Sequence, residues 1–182
     1  MPPGSALRVV PLQTERKRRE VFSRNSGGTT ETQVCAPVLK GMGAFFYGLL
    51  HAEEKDEIRE RFAPLLCKKA GELFYRLTEG KYDRVTLDRA MRVTVHPTGS
   101  TTDRSLSYLS GGTVDQLYLA LRLAICDLLL PDCPIILDDA LVYFDDERLR
   151  VALEVLRELG RQRQILLFTC TDREKRMLDA SR

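Results

Sequence analysis

Two stretches of this 182-residue chain hold residue types that chemistry needs. The first is Leu109-Ser110-Gly111-Gly112-Thr113, followed by Gln116 and then by a run that is apolar on almost every face, LYLALRLAICDLLL. The glycines leave backbone N–H groups uncovered, and Thr113 with Gln116 has capping-box spacing, so a helix is expected to begin near Gly112. Such a helix start favours anions, phosphate above all, because unbonded N–H groups and the helix dipole face the ligand. The second stretch is CPIILDDALVYFDDERL, where a β-branched run from Pro134 ends at Asp138 and Asp139, with a further carboxylate at Asp145. A short apolar run that ends this way reads as a buried parallel strand, and the C-terminal edge of such strands is where α/β folds bind ligands. Each motif alone is more often an ordinary loop, cap or core helix. Ser26 to Thr29 repeats the SGGT tetrapeptide without a buried helix after it and reads as a chance match.

The elements that must position these residues follow from periodicity. From Glu53 to Thr78, Ile58, Phe62, Leu65, Leu66, Leu73 and Leu77 recur at threes and fours, which predicts a helix with Pro64 as a break or restart and Gly80 as its close. YDRVTLD and MRVTVHP alternate apolar and polar residues around a short turn, the pattern of a half-buried hairpin. Asp145 can cap a helix over Asp146 to Leu159 that Gly160 stops, and the strand QILLFTC then ends at Thr169, Cys170 and Thr171. Helix, strand, helix, strand in that order implies parallel strands joined by right-handed crossovers.

Composition narrows the class. The chain is 43% hydrophobic and 30% charged, ordinary for a globular domain with a real core. No run of about 18 apolar residues occurs, and the N-terminal residues lack the apolar core of a secretion signal, so a cytoplasmic location without membrane partners is expected. Five cysteines without a CxxC pair, beside two histidines, encode neither a disulfide framework nor a zinc site, and most are expected to be buried thiols. The net charge of +2 is uneven: residues 1–40 hold seven Lys or Arg against three Glu. The run Arg16 to Arg19 could touch nucleic acid, but Glu15 and Glu20 flank it and no aromatic side chain is interleaved to stack on bases. The organisation read from the chain is an irregular basic segment over 1–50, a helical arm stub over 51–80 and an α/β lobe over 81–182. Within the first, VLKGMGAFFYGLL could be a short helix or strand.

Taken together, Leu109 to Gln116, the strand ending at Asp138 and Asp139, Asp145 seven positions after the first carboxylate, and the strand end at Thr169 to Thr171 make up a nucleotide site. Over roughly Arg59 to Leu178 they resemble the C-terminal half of an ABC-type (P-loop) ATPase head, in the branch of SMC proteins and the SbcC and YhaN-like coiled-coil ATPases. The resemblance implies a β-hairpin, a signature helix, a parallel Walker B strand and a following strand. It makes Leu109 to Thr113 with Gln116 similar to the signature motif, which in that family binds the γ-phosphate of ATP held on the opposite head. Asp138 then sits where Walker B holds Mg2+ through water, and Asp139 where a carboxylate orients the attacking water. Phe144 and Asp145 resemble the pair before and within the D-loop, and LTEGKYDRV also looks like the YhaN-like branch.

Two departures from the pattern stand out. The switch-histidine position holds Thr171, and no GxxxxGK[ST] occurs in the sequence. The resemblance therefore implies a half-site that takes ATP and Mg2+ only in a complete assembly, with a Walker A-bearing N-terminal lobe or a second head as partner and DNA as a further one. Activity of the lobe alone is not expected. Two alternatives remain open on the residues: a non-catalytic protein- or DNA-binding module with the same fold, and a two-metal nuclease or phosphatase using Asp138, Asp139, Asp145 and Asp146. His51 and His96 are assigned no role.

Overall fold

The computed structural model describes residues 7–11, 55–88 and 92–180. The chain divides into two compact units, Met1–Leu12 with Pro64–Arg182, and Gln13–Ala63; of the second, only residues 55–63 are described. The larger unit carries two sheets. Strands β1 (Leu7–Pro11), β6 (Ile165–Thr169) and β5 (Ile135–Asp138) form a parallel sheet in the order β1-β6-β5. Strands β2 (Tyr82–Leu87), β3 (Val93–Pro97) and β4 (Arg104–Ser105) form an antiparallel one. The helices are α1 (Lys55–Leu77), α2 (Gly111–Leu129), α3 (Asp146–Leu159) and α4 (Arg173–Ala180).

In the parallel sheet the register brings Leu7, Ile165 and Ile135 side by side, then Val9, Leu167 and Leu137 two residues on. Ile135, Leu137, Ile165 and Leu167 are buried and share the core with Leu149, Ala152, Leu153 and Leu156 of α3. Each such side chain contributes about 1.5–3 kcal/mol when fully buried. The neighbouring rows point to the other face, which is open at the β5 edge: Ile136 is 65% exposed. Gly160 caps the end of α3 where there is little room for a side chain. Its backbone is right-handed, and a Cβ there would come 3.2 Å from the Leu7 amide nitrogen of β1.

The hairpin pairs Val85 with Val95, both buried, and Thr86 with Thr94, whose hydroxyls are 2.6 Å apart. Helix α1 lies against it through Leu66, Ala70, Phe74 and Leu77, all buried, and Phe74 stacks on Tyr82 at 5.1 Å. Past its end, Gly80 takes a left-handed φ of 83°, a conformation that glycine adopts without steric cost. The loop after α2 is held from a distance. Arg163, its side chain only 7% exposed, donates to the Leu130 and Cys133 carbonyls and lies 3.7 Å from Asp127, which also pairs with Lys69 of α1.

Most expected elements are present: the hairpin, the signature-type helix, the parallel strands and the helix over Asp146–Leu159. Four readings differ. Strand β1 lies in the segment read as irregular, because LRVVP is too short to announce itself and owes its state to pairing with β6. Pro64 does not break α1; it is exposed and lies within the helix, at the boundary of the two units. The buried stripe of α1 runs through Leu66, Ala70, Phe74 and Leu77, while Leu65 is 54% exposed. The cysteines are less buried than expected: Cys67, Cys126 and Cys170 are half-buried and Cys133 is exposed. Burial still pushes the Cys67 and Cys126 thiols above the ordinary thiol value. Ser26 to Thr29, the run Arg16 to Arg19, Cys35, His51 and VLKGMGAFFYGLL lie outside the described residues.

Candidate functional site

The glycine turn follows a 3-10 turn over Leu106–Tyr108 and opens α2 at Gly111, one residue before the expected start. Its cap is Ser110, in extended conformation, whose side chain accepts from the Thr113 amide at 3.4 Å while the two hydroxyls lie 2.8 Å apart. The capping pair is therefore Ser110 with Thr113 rather than Thr113 with Gln116. Gln116 turns inward, 4% exposed, and its amide donates to the Leu77 carbonyl at the end of α1. Its role in the structure is to hold the signature-type helix to the arm helix. Gly111 faces open space, since a Cβ there would meet nothing within 4 Å. A helix's first amides have no carbonyl of the helix to donate to, so the open side of Gly111 is where an anion could approach.

Strand β5 delivers the carboxylates. Asp138 is exposed at its C-terminal end, and its side chain makes no hydrogen bond or ion pair among the described residues. Asp139 continues the ladder by donating its amide to the Phe168 carbonyl, then turns left-handed with φ 46°. Aspartate tolerates that region better than most residues, and Glu79 after the end of α1 also adopts it, with φ 52°. One carboxylate oxygen accepts from the Cys170 amide at 2.9 Å, tying the end of β5 to the turn after β6. The other oxygen remains able to accept from water.

Thr171 lies in that turn with its amide on the Thr169 hydroxyl at 3.2 Å. Its own hydroxyl donates to Glu174, a carboxylate that is 1% exposed. A hydroxyl has one proton to give, so Thr171 meets the site with lone pairs rather than a donor.

Asp145 caps α3: its carboxylate accepts from the Arg148 amide at 2.8 Å and also pairs with the Arg148 guanidinium. These contacts with Arg148 hold the Asp145 carboxyl below the usual carboxylate range. The same guanidinium lies over Gly112, where a built Cβ would come within 3.1 Å of its central carbon. Asp115, on the next turn of α2, is pushed up by burial and partly held back by Arg148. Arg148 thus joins the starts of α2 and α3, and no motif announced it. Arg173 of α4 reaches Asp146 at 3.5 Å and the Leu141 carbonyl at 3.4 Å. His96 bonds to Asp103 at 2.8 Å on the hairpin, with Arg84 3.3 Å from both, away from these residues in sequence and element.

Asp138 is an accessible oxygen ligand, which suits Mg2+, an ion that takes one or two carboxylates together with substrate phosphates. Among the described residues no three His, Cys, Asp or Glu side chains converge as a metal cluster, so Asp138, Asp139, Asp145 and Asp146 do not form the two-metal arrangement of the nuclease reading.

This arrangement, a β-hairpin followed by a glycine-turn helix and a parallel strand ending in two carboxylates, has a fold found in SMC-type ATPase heads. The chain is 40% identical over 118 residues to the uncharacterized protein YhaN of Bacillus subtilis (strain 168), covering 62% of this chain and 12% of that one. It is 34% identical over 116 residues to the DNA double-strand break repair Rad50 ATPase of Methanocaldococcus jannaschii, covering 62% and 11%. The chain thus spans about a tenth of the length of these relatives. Among solved structures, an SMC ATPase from work on ATP-driven dimerization and DNA-stimulated activation superposes with TM-score 0.57 at 18% identity, over 66% of this chain and 76% of that one. The SMC head domain from Thermotoga maritima gives 0.52 at 21%, over 65% and 43%. These likenesses bear on the fold. No family model matches the chain.

Proposed function

We propose that this lobe supplies the signature and Walker B groups of a composite ATP site, completed by a Walker A-bearing lobe or a second head. The observation that carries the reading is the Ser110-capped turn, whose Gly111 faces open space at the start of a helix with a buried body. There the first amides of α2 and the Ser110 and Thr113 hydroxyls would take oxygens of a γ-phosphate bound on the partner. Asp138 would hold Mg2+ through water. Asp139, fixed by the Cys170 amide through one oxygen, would orient the attacking water through the other. When bound, the metal ion neutralises charge that develops on the phosphate oxygens. The location is cytoplasmic in this reading. Relatives named for DNA double-strand break repair and for DNA-stimulated activation support DNA as the complex's target and chromosome maintenance or repair as its setting.

The test has two stages. Calorimetric titration of the lobe with ATP and Mg2+ should show no binding or very weak binding. With a Walker A-bearing head added, ATP should drive association, and Ser110→Arg should abolish it by placing bulk and charge in the phosphate seat. Micromolar binding to the lobe alone, or association unchanged by Ser110→Arg, overturns the reading. A second reading, a non-catalytic protein- or DNA-binding module, is favoured by one observation: Glu174 occupies the only proton that Thr171 could give to a phosphate. Association without hydrolysis would be its mark.

A further inference from the structure

Glycine at the second position of a helix is ordinarily a small loss, because alanine there costs less backbone entropy. The backbone of Gly112 is not left-handed, so conformation does not call for it. What occupies the missing side chain's place is Arg148. A Cβ at position 112 would lie 3.1 Å from both the central carbon and one terminal nitrogen of the guanidinium, and 3.2 Å from its Nε. The end of an arginine side chain normally moves aside, but this one pairs with the Asp145 carboxylate, which the Arg148 amide also holds. The planar group is thus clamped between the cap of α3 and the first turn of α2, and the two turns meet through it.

We propose that Arg148 is a positioning residue that fastens the Ser110–Thr113 turn to the Asp145 turn, and that position 112 is glycine to seat its guanidinium. The positioning role rests on the composite-site reading: both turns would face the partner's nucleotide, and the staple presents them as one unit. Without it each turn could adjust alone, and binding a phosphate would have to order two segments rather than one.

A double-mutant cycle on the 182-residue chain tests the staple directly, with amide hydrogen exchange of the first helix-bonded amides, residues 114–116, read by NMR. Helix propensity alone predicts that Gly112→Ala slows exchange about threefold. The staple predicts the reverse with Arg148 present, exchange several-fold faster, and the propensity gain restored in the Arg148→Ser background. Gly111→Ala, with open space around it, should slow exchange in both backgrounds. Gly112→Ala should also move the Asp145 and Arg148 amide signals only while the arginine is present. Slower exchange from Gly112→Ala in both backgrounds, or faster in both, overturns the staple.

The positioning role is read separately, by adding a Walker A-bearing head and ATP. There Arg148→Ser should weaken ATP-dependent association about tenfold, within the range of coupling between contacting groups, and wild-type affinity in that variant overturns the role. Absence of ATP-dependent association in the unmutated chain would sink the composite-site reading instead, while the exchange cycle would still decide the staple.

Discussion

Asp139 offers the sharpest check on the site geometry, because two independent features converge on one residue: a left-handed backbone and a carboxylate that accepts from the Cys170 amide. Replacing it by alanine places an ordinary Cβ in the left-handed region, at a cost of roughly 1 kcal/mol relative to aspartate. It also removes the acceptor of a partly exposed amide, worth about 1 kcal/mol. The sum of about 2 kcal/mol corresponds to a fall of about 4–8 °C in Tm for a chain of this size. Asn tolerates the same φ and keeps an oxygen for the Cys170 amide, so Asp139→Asn should change Tm by no more than about 2 °C. Glycine relieves the backbone but loses the bond and adds unfolded-state entropy, so it should fall between the two. Calorimetric melting of the three variants gives the order Asn, Gly, Ala from most to least stable. If Ala matches or exceeds Asn, the left-handed turn and its hydrogen bond do not hold the end of β5. The same Asp139→Asn variant should lose ATP hydrolysis in the assembled complex while keeping ATP-dependent association, which separates chemistry from folding.

Other expectations are narrower. Gln116→Ala should destabilise the lobe by about 1–3 kcal/mol, the cost of leaving the buried Leu77 carbonyl without its donor, as read by urea unfolding; a change under about 0.5 kcal/mol would contradict the buried bond. Asp145 has a lowered pKa in the folded state, so it contributes stability above its unfolded value of 3.8 that is lost as pH falls through the lower folded value. Wild type minus Asp145→Ala stability, measured between pH 6 and about pH 2, should therefore shrink at the acid end; a difference that grows on acidification would reverse the assignment. Ile136, 65% exposed on the open sheet face, should promote self-association, and Ile136→Lys should reduce it in sedimentation at raised concentration.

The parts of the fold visible in the sequence are those written locally. Asp145 as a cap, the helix ending at Gly160 and the alternation through Val85 and Val95 each depend on neighbours within a few residues. The parts that were hidden depend on distant partners. LRVVP becomes a strand because β6 lies beside it, and Leu66 rather than Leu65 is buried because of where the hairpin meets α1. Gln116 has the spacing of a capping residue, but the carbonyl it satisfies is 39 residues away. Gly160 and Gly112 could be read as punctuation from sequence; their neighbours, the Leu7 amide and the Arg148 guanidinium, come from other elements.

The contact between Gly112 and Arg148 also bears on how the site's two halves relate. Helix α2 leads into β5 through a short loop, and α3 begins at Asp146, eight positions after β5 ends at Asp138, so the start of α3 lies just past the carboxylate end of the strand. Because Arg148 of α3 lies on the first turn of α2, the glycine turn is held on that same side of the lobe. Asp139 and the Cys170 amide tie the end of β6 to it as well. Thus side-chain contacts tie the glycine turn to the Asp145 turn and Asp139 to the threonine turn, although 61 positions separate Ser110 from Thr171. A phosphate captured at Ser110 would pull on the Asp145 turn through Arg148, and a change at Asp139 would pull on Thr171 through Cys170. In the composite-site reading, each of these two short links can be cut by a single substitution and its effect on association and on hydrolysis measured separately.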